Sequence, residues 1–326
     1  MYYLGIDGGG TKTSFLLIDD TDYTISAALL PSCSVAQYGF NGFRKIITEG
    51  TNLVLKDANA EMGSIKSVCM GVPGFTESLD VDAQILDIVS DIFGDISWKC
   101  VNDVEVGWAG SLGLKPGINI VAGTGAIAFG RDFYGNTARS SGWGEFFGDE
   151  GSCYWLGKLV LEYFSKQSDG RLPKGALYDL MKKHLGIERD LDLINYCEEN
   201  LITKRDKVAW LQIILCDAAL AGDETAIMAY NLAANELTLA IATVMNKLKF
   251  SGKSITVSYS GGVFEAGDLI LNPLRDQLLS INSHLILKQP LLSPVSGAVL
   301  LAAEYIGEAD ISSIMHYLKI YKKNKN

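Results

Sequence analysis

Two segments of this 326-residue chain, Leu4-Gly5-Ile6-Asp7-Gly8-Gly9-Gly10 and Asn119-Ile120-Val121-Ala122-Gly123-Thr124-Gly125, each run an apolar strand into a glycine turn, 115 residues apart. Each turn leads into a second apolar run, at 14–18 and at 126–131. Strands joined this tightly must be antiparallel neighbours. A strand–turn–strand unit recurring at about one domain length suggests two domains of related design. The match is short, and by itself it leaves the duplication open.

The surrounding pattern predicts an α/β chain. Residues 2–30 read as a three-stranded meander, 41–62 as a helix, 65–71 as a buried strand stopped by Pro73-Gly74, and 98–102 as a strand running into Asp103. The first 115 residues therefore read β-β-β-α-β-α-β-α, a mixed layer. Leu114-Lys115-Pro116-Gly117 marks a boundary, so domains are expected at 1–115 and 116–326. Within the second, strands are expected at 118–122, 126–131, 255–259 and 284–287, and helices at 151–164, 208–220, 224–248 and 295–306. Residues 165–250 form a helical insertion without a motif, and 321–326 read as a frayed tail.

Charge and cysteine usage narrow the function. With 28 Lys+Arg against 38 Asp+Glu, the net charge is −10. Nucleic acid and an anionic membrane surface are thus disfavoured as main partners, whereas a small anion held by local groups is not. The six cysteines (33, 69, 100, 153, 197, 216) form no C-x-x-C pair and have no histidine company. Buried free thiols in a reducing compartment fit better than zinc or disulfides. With no basic leader before Asp7 and no run of 18 apolar residues, a cytoplasmic chain without a membrane span is expected.

The glycine turns carry the chemistry. Three consecutive glycines between strands expose backbone N–H groups that can wrap an anion, and the hydroxyls of Thr11 and Thr13 add donors. Asp7 at the strand end can hold Mg²⁺, without which it would repel a phosphate. An ordinary hairpin turn is the alternative. Gly10-Thr11 is not followed as a P-loop requires, and the Rossmann-like letters at 123–128 run into a strand rather than a helix. Gly123-Thr124-Gly125 is a second candidate phosphate turn. Ser260-Gly261-Gly262 is a third junction that allows close approach to a base or ribose. Asp103 stands where a strand gives way to a helix, as either a functional carboxylate or a helix N-cap. The run from Gly142-Trp143-Gly144 to Gly148-Asp149-Glu150-Gly151 suits a sugar, with aromatic face on C–H surface and carboxylates on hydroxyls. It equally suits a surface loop that caps the next helix and buries Trp143.

These motifs, with Asn102-Asp103 and Ser260-Gly261-Gly262-Val263-Phe264, occur in an order and spacing that resembles the N-acetylglucosamine kinases among the BadF/BadG/BcrA/BcrD-type ATPases. The resemblance is strong over about 2–160 and looser over 255–305. It implies two actin/hexokinase-like (ribonuclease H-like) domains with mixed sheets flanked by helices and a cleft between them. It also implies ATP-dependent phosphorylation of the 6-hydroxyl of N-acetylglucosamine. Carried over residue by residue, Gly8, Gly9, Gly10, Thr11, Lys12 and Thr13 would form the first phosphate loop, with Asp7 at the Mg²⁺. Thr124 and Gly125 would belong to the second phosphate loop, and Gly261 and Gly262 would lie beside the adenosine. Asp103 would be the base, and Asn102, Asp103, Gly142, Trp143 and Asp149 would meet the sugar. A homodimer is implied as well. The chain departs from the pattern at Pro31-Ser32-Cys33-Ser34-Val35-Ala36-Gln37, where the usual Gly-x-Ser/Thr-Asn is missing. A pocket relaxed there would admit N-acetylmuramate. Glucosamine kinase is the rival reading, and an iron–sulfur ATPase activator of a dehydratase or reductase is more distant because its cysteine arrangement is missing.

Overall fold

A computed structural model describes residues 1–250, 254–307 and 309–325. The chain forms two compact units, Met1–Lys115 with Gln289–Asn326, and Pro116–Lys288.

In the first unit the chain runs β1 (Tyr2–Gly8), β2 (Lys12–Asp19), β3 (Ile25–Pro31), α1 (Val35–Asp57), β4 (Ile65–Val72), α2 (Leu79–Phe93), β5 (Ser97–Asn102) and α3 (Asp103–Leu112). The sheet order is β3-β2-β1-β4-β5. β1 pairs antiparallel with β2 and parallel with β4, and β4 pairs parallel with β5. Alternation along each strand sorts the side chains to two buried faces. Leu4, Ile6, Phe15, Leu17, Val68 and Met70 pack with Phe43, Ile47 and Val54 of α1 and Ile85 and Val89 of α2. Each such side chain, fully buried, contributes about 1.5–3 kcal/mol of transfer free energy.

The second unit repeats the design: β6 (Gly117–Ala122), β7 (Ala126–Arg131), β8 (Thr137–Ser141), later β9 (Ile255–Ser260) and β10 (Leu285–Lys288), ordered β10-β9-β6-β7-β8. β6 is antiparallel to β7 and parallel to β9, as β1 is to β2 and β4. The strand–turn–strand repeat therefore extends to two sheets of the same topology. Between β8 and β9 lie α4 (Cys153–Ser168), α5 (Ala176–Leu185), α6 (Asp192–Asn200), α7 (Arg205–Trp210), α8 (Gln212–Leu220) and α9 (Glu224–Lys247), and α10 (Asp268–Ile281) precedes β10. Sequence periodicity foresees α4, α7, α8 and α9 but not β8, α5, α6 or α10.

Two expectations are corrected, and one helix needs comment. Among the described residues α9 alone is long and apolar enough to cross a membrane by length and composition. Its apolar stripe, including Tyr230, Leu237, Ile241 and Val244, is buried in the core of this unit, which any core helix of that length can do. Residues 321–325, expected as a frayed tail together with Asn326, belong to the helix α12 (Ile311–Lys325), which buries Ile314 and Leu318; Asn326 lies outside the described residues.

Residues 289–326, expected with the second domain, belong to the first unit. Leu291 and Leu292 donate N–H bonds to Ser111 and Gly110 carbonyls at 3.0 Å each, and α11 (Pro294–Ile306) then crosses α3. The crossing is close because glycines face each other. A methyl on Gly297 would lie 2.1 Å from the Val106 carbonyl oxygen and 2.3 Å from the Gly110 nitrogen.

The helices of the second unit hold one strongly perturbed acid. Hydrogen bonds from Lys182, Ser168 and Tyr178 hold the Asp190 carboxyl down at about 2.

Two outcomes are expected. Gly297→Ala must push backbone apart, so urea melts should show a loss of about 3 kcal/mol or more. For Asp190 the folded-state pKa lies below the unfolded one. Its stabilisation is therefore present above about pH 4 and disappears as the pH falls towards about 2. Asp190→Asn should lower stability by roughly 1 kcal/mol at pH 7, after screening of this partly exposed site, and leave it unchanged near pH 2 in thermal melts.

Candidate active site

In the first unit, the carboxyl ends of the parallel strands bring the expected residues to one sheet edge. Asp7 ends β1, Asn102 ends β5, and β4 lies between them. In register, Asp7 pairs with Gly71, and Gly71 with Val101. The position beside Asp7 in the register thus has no side chain, and a methyl on Gly71 would lie 3.2 Å from the Asp103 Cα. This is the edge where open α/β sheets bind ligands.

Asn102, not Asp103, caps α3. Its Oδ1 accepts the Val104 N–H at 3.2 Å, and its Nδ2 donates to the Phe75 carbonyl at 2.7 Å. The cap therefore makes no demand on Asp103, which is the first helical residue. Asn102 was expected at the sugar, yet both ends of its amide are engaged within the protein.

The charges at this edge strain each other. Burial, and then the nearby Asp103 charge, push the Asp7 carboxyl up to about 7, with Lys12 opposing. A cation would relieve this. Among the described residues no cluster of three or more His, Cys, Asp or Glu could hold a metal alone. The donor set of two neighbouring, partly exposed carboxylates fits Mg²⁺, which takes one or two carboxylates and completes its shell with phosphate oxygens and water.

The first glycine turn is braced from below. The Ser32 hydroxyl donates to the Gly9 carbonyl at 2.7 Å, and the Gly9 N–H donates to the Lys12 carbonyl at 2.9 Å. Gly8 is needed for space, since a methyl there would lie 2.6 Å from Cys33 Sγ and 2.9 Å from the Gly71 oxygen. Gly9, Gly10 and Thr11 are at least partly exposed, whereas Thr13 is buried and donates its hydroxyl to the Pro31 carbonyl. Of the two expected hydroxyl donors, only Thr11 is accessible. The departing segment at 31–37 thus holds the turn through Ser32, a role the sequence reading missed. Burial raises the Cys33 thiol pKa, so it packs rather than reacts. All six cysteines are free.

In the second unit the corresponding edge gathers the other motifs. The Gly123 N–H donates to the Gly125 carbonyl, and the Cys153 N–H at the start of α4 donates to the Gly123 carbonyl at 2.8 Å. Gly261 (φ +112°) approaches so closely that a methyl there would lie 2.4 Å from the Ala122 carbonyl carbon. The turn at 123–125 and the Gly261-Gly262 junction are therefore in contact, while Thr124 is exposed.

The loop 142–151 leaves from β8 at this edge. Asp149 is buried in a left-handed conformation (φ +57°) and pairs with Arg205, the first residue of α7. Its carboxylate also takes N–H bonds from Ala126 and Gly144. Burial nevertheless keeps its pKa above the usual range, with Arg205 the strongest opposing influence. Arg205 Nε lies 3.4 Å from Glu145 Oε2. Trp143 is 69% exposed and leans on Phe147 of its own loop, so the alternative of a buried Trp143 does not hold. Gly142 packs against Ile127. Helix α4 is capped by Ser152 rather than by Asp149 or Glu150. Sequence reading missed Arg205 and Glu145, and Arg205 lies 56 residues from its partner.

Each unit is a five-stranded mixed sheet with a glycine turn at the matching strand end, the actin-like fold also seen in solved sugar-kinase structures. Residues 4–302 match the BadF/BadG/BcrA/BcrD ATPase family, and the chain belongs to it. A Clostridium acetobutylicum N-acetylmuramic acid/N-acetylglucosamine kinase is 29% identical over 86% of this chain and 91% of its own. A Dictyostelium discoideum N-acetyl-D-glucosamine kinase is 28% identical over 92% and 97%. In structure, a Chromobacterium violaceum protein provisionally named an N-acetylglucosamine kinase superposes with a TM-score of 0.72 at 22% identity, covering 92% of this chain and 98% of its own.

Gly261→Ala should cost about 1–3 kcal/mol in a urea melt, because the methyl meets backbone and the φ is unfavourable. Unchanged stability would mean that β9 is not held against the 122–123 turn.

Proposed function

We propose that the chain is an ATP-dependent amino-sugar kinase that phosphorylates the 6-hydroxyl of N-acetylglucosamine and also accepts N-acetylmuramate. The observation that carries this reading is the place of Asp103. It opens α3 at the ligand-binding edge of its sheet, beside Asp7, with the capping task taken by Asn102. The relatives from Clostridium acetobutylicum and Dictyostelium discoideum support the substrate class.

In this reading Asp103 orients the sugar 6-hydroxyl and accepts its proton as the oxygen attacks the γ-phosphorus of ATP. The bond from the γ-phosphorus to the bridging oxygen breaks, and ADP leaves with that electron pair. Backbone N–H groups of the turn 8–13 and of Thr124 and Gly125 stabilise the phosphate charge. Gly261 and Gly262 let the adenosine approach backbone closely. A Mg²⁺ ion bound at Asp7 supplies charge neutralisation on the phosphates. Asp149 binds sugar hydroxyls, and Gly142 and Trp143 shape the region that receives the N-acetyl methyl. Asn102, its amide tied to Phe75 and Val104, serves by fixing the start of α3.

A coupled ADP-release assay with Mg²⁺ and glucose, glucosamine, N-acetylglucosamine or N-acetylmuramate tests the reading. Turnover on N-acetylglucosamine, with product phosphorylated at the 6-position by NMR, is expected. Preference for glucosamine would replace the acetyl assignment by the rival kinase, and no turnover on any sugar would end the kinase reading. Asp103→Asn should lower kcat by about 10²–10⁴-fold while sugar binding stays within about tenfold. Wild-type kcat in that variant would reduce Asp103 to a structural residue.

A further inference from the structure

The helical segment between β8 and β9 places one residue at the second glycine turn. Arg205 opens α7, and its guanidinium pairs with Asp149 and approaches Glu145 at 3.4 Å. Both partners of the first pair touch the turn: a methyl on Gly125 would lie 2.7 Å from Asp149 Oδ2 and 2.8 Å from Arg205 Nη2. The Asp149 side chain is only 4% exposed, and that of Arg205 is 40% exposed. Three elements thus hold one carboxylate: β7 through the Ala126 N–H, the loop itself through the Gly144 N–H, and α7 through Arg205.

An arginine beside a phosphate turn invites the reading of a phosphate clamp, but the local charge argues otherwise. Two carboxylates face one guanidinium, so Arg205 is committed to them rather than offered to a phosphate, and the phosphate donors proposed for this turn remain the N–H groups of Thr124 and Gly125. The pairing also answers a physical need, because a buried carboxylate without a cation takes up a proton or turns away.

We propose that Arg205 is a positioning residue for the sugar: it fixes the Asp149 carboxylate and seats the loop 142–151 on the second glycine turn. This rests on the amino-sugar kinase reading. Arg205 need not touch the sugar; it acts through Asp149. The fork of the guanidinium matters, since Nη2 hydrogen-bonds Asp149 while Nε stays in ion-pair range of Glu145 at 3.4 Å, an arrangement a lysine ammonium reproduces less well.

The test uses the full chain and the variants Arg205→Met, Arg205→Lys, Asp149→Asn and Arg205→Met/Asp149→Asn. Arg205→Met should raise the sugar KM about tenfold or more and leave the ATP KM within about twofold. Arg205→Lys should fall between. The double variant should be no worse than Asp149→Asn alone, because both remove the same arrangement. The groups facing Asp149 are Arg205 from α7 and Glu145 from its own loop, together with the N–H groups of Ala126 and Gly144. With Arg205 gone, the acid limb of kcat/KM for the sugar should move up by about one pH unit.

A second readout needs no activity. Hydrogen exchange in the ligand-free protein should quicken about tenfold across 142–151 in Arg205→Met, and less in Arg205→Lys. If wild type turns over sugar while a folded Arg205→Met keeps its KM, pH profile and exchange, the proposal is overturned. Additive losses in the double variant overturn it as well. Should Arg205→Met not fold, Arg205→Lys is judged by the same measurements. Failure of wild type on every sugar is separate and overturns the kinase reading instead.

Discussion

Two carboxylates at the end of one sheet repel each other, and the first unit keeps them there. Burial and the Asp103 charge together push the Asp7 carboxyl up to about 7. A fold selected for stability alone would have replaced one of them with an apolar or amide side chain. A proton or a cation relieves such repulsion. The neighbouring features keep that edge open. Gly71 keeps the space beside Asp7 open, Asn102 takes over the helix cap, and Ser32 braces the turn so that its outer face stays available.

The second unit solves a different problem with the same sheet. Its turn carries no acidic residue corresponding to Asp7, since Ala122 stands in that place. Its carboxylate, Asp149, comes from the loop after β8 and is neutralised within the protein by Arg205. In one unit two carboxylates repel each other at the sheet edge, while in the other a buried carboxylate is paired with an arginine. The common topology is thus put to two electrostatic uses.

Much of this was legible in the sequence where neighbours in space are neighbours in the chain. The meander at 2–30, the glycine turns and the placement of Asp7 and Asp103 were read from contiguous residues. The family resemblance was legible there too. Asn102 and Asp103 are adjacent cap formers, so the pattern could not say which one caps; only the Val104 contact does. β8 escaped because Thr137–Ser141 is polar and half-buried, without clear alternation. α12 was hidden by its lysines, although Ile311, Ile314 and Leu318 follow a helical spacing. The Arg205–Asp149 pair and the Gly110–Gly297 crossing join residues far apart in the chain, where no local period can reveal them.

The return of the chain to the first unit after residue 288 bears on how the protein is made. The second unit is one continuous stretch and has all its strands once β10 has been synthesised. The first unit is interrupted, and α11, which packs on β1 and α3, emerges only after the whole of the second unit. Until then one face of its sheet is uncovered and exposes Leu16 and Ile18 to solvent or to chaperones. The acidic edge of the first unit is therefore completed only after the second unit has been made. A ribosome stalled before residue 289 would carry one finished unit and one unfinished one.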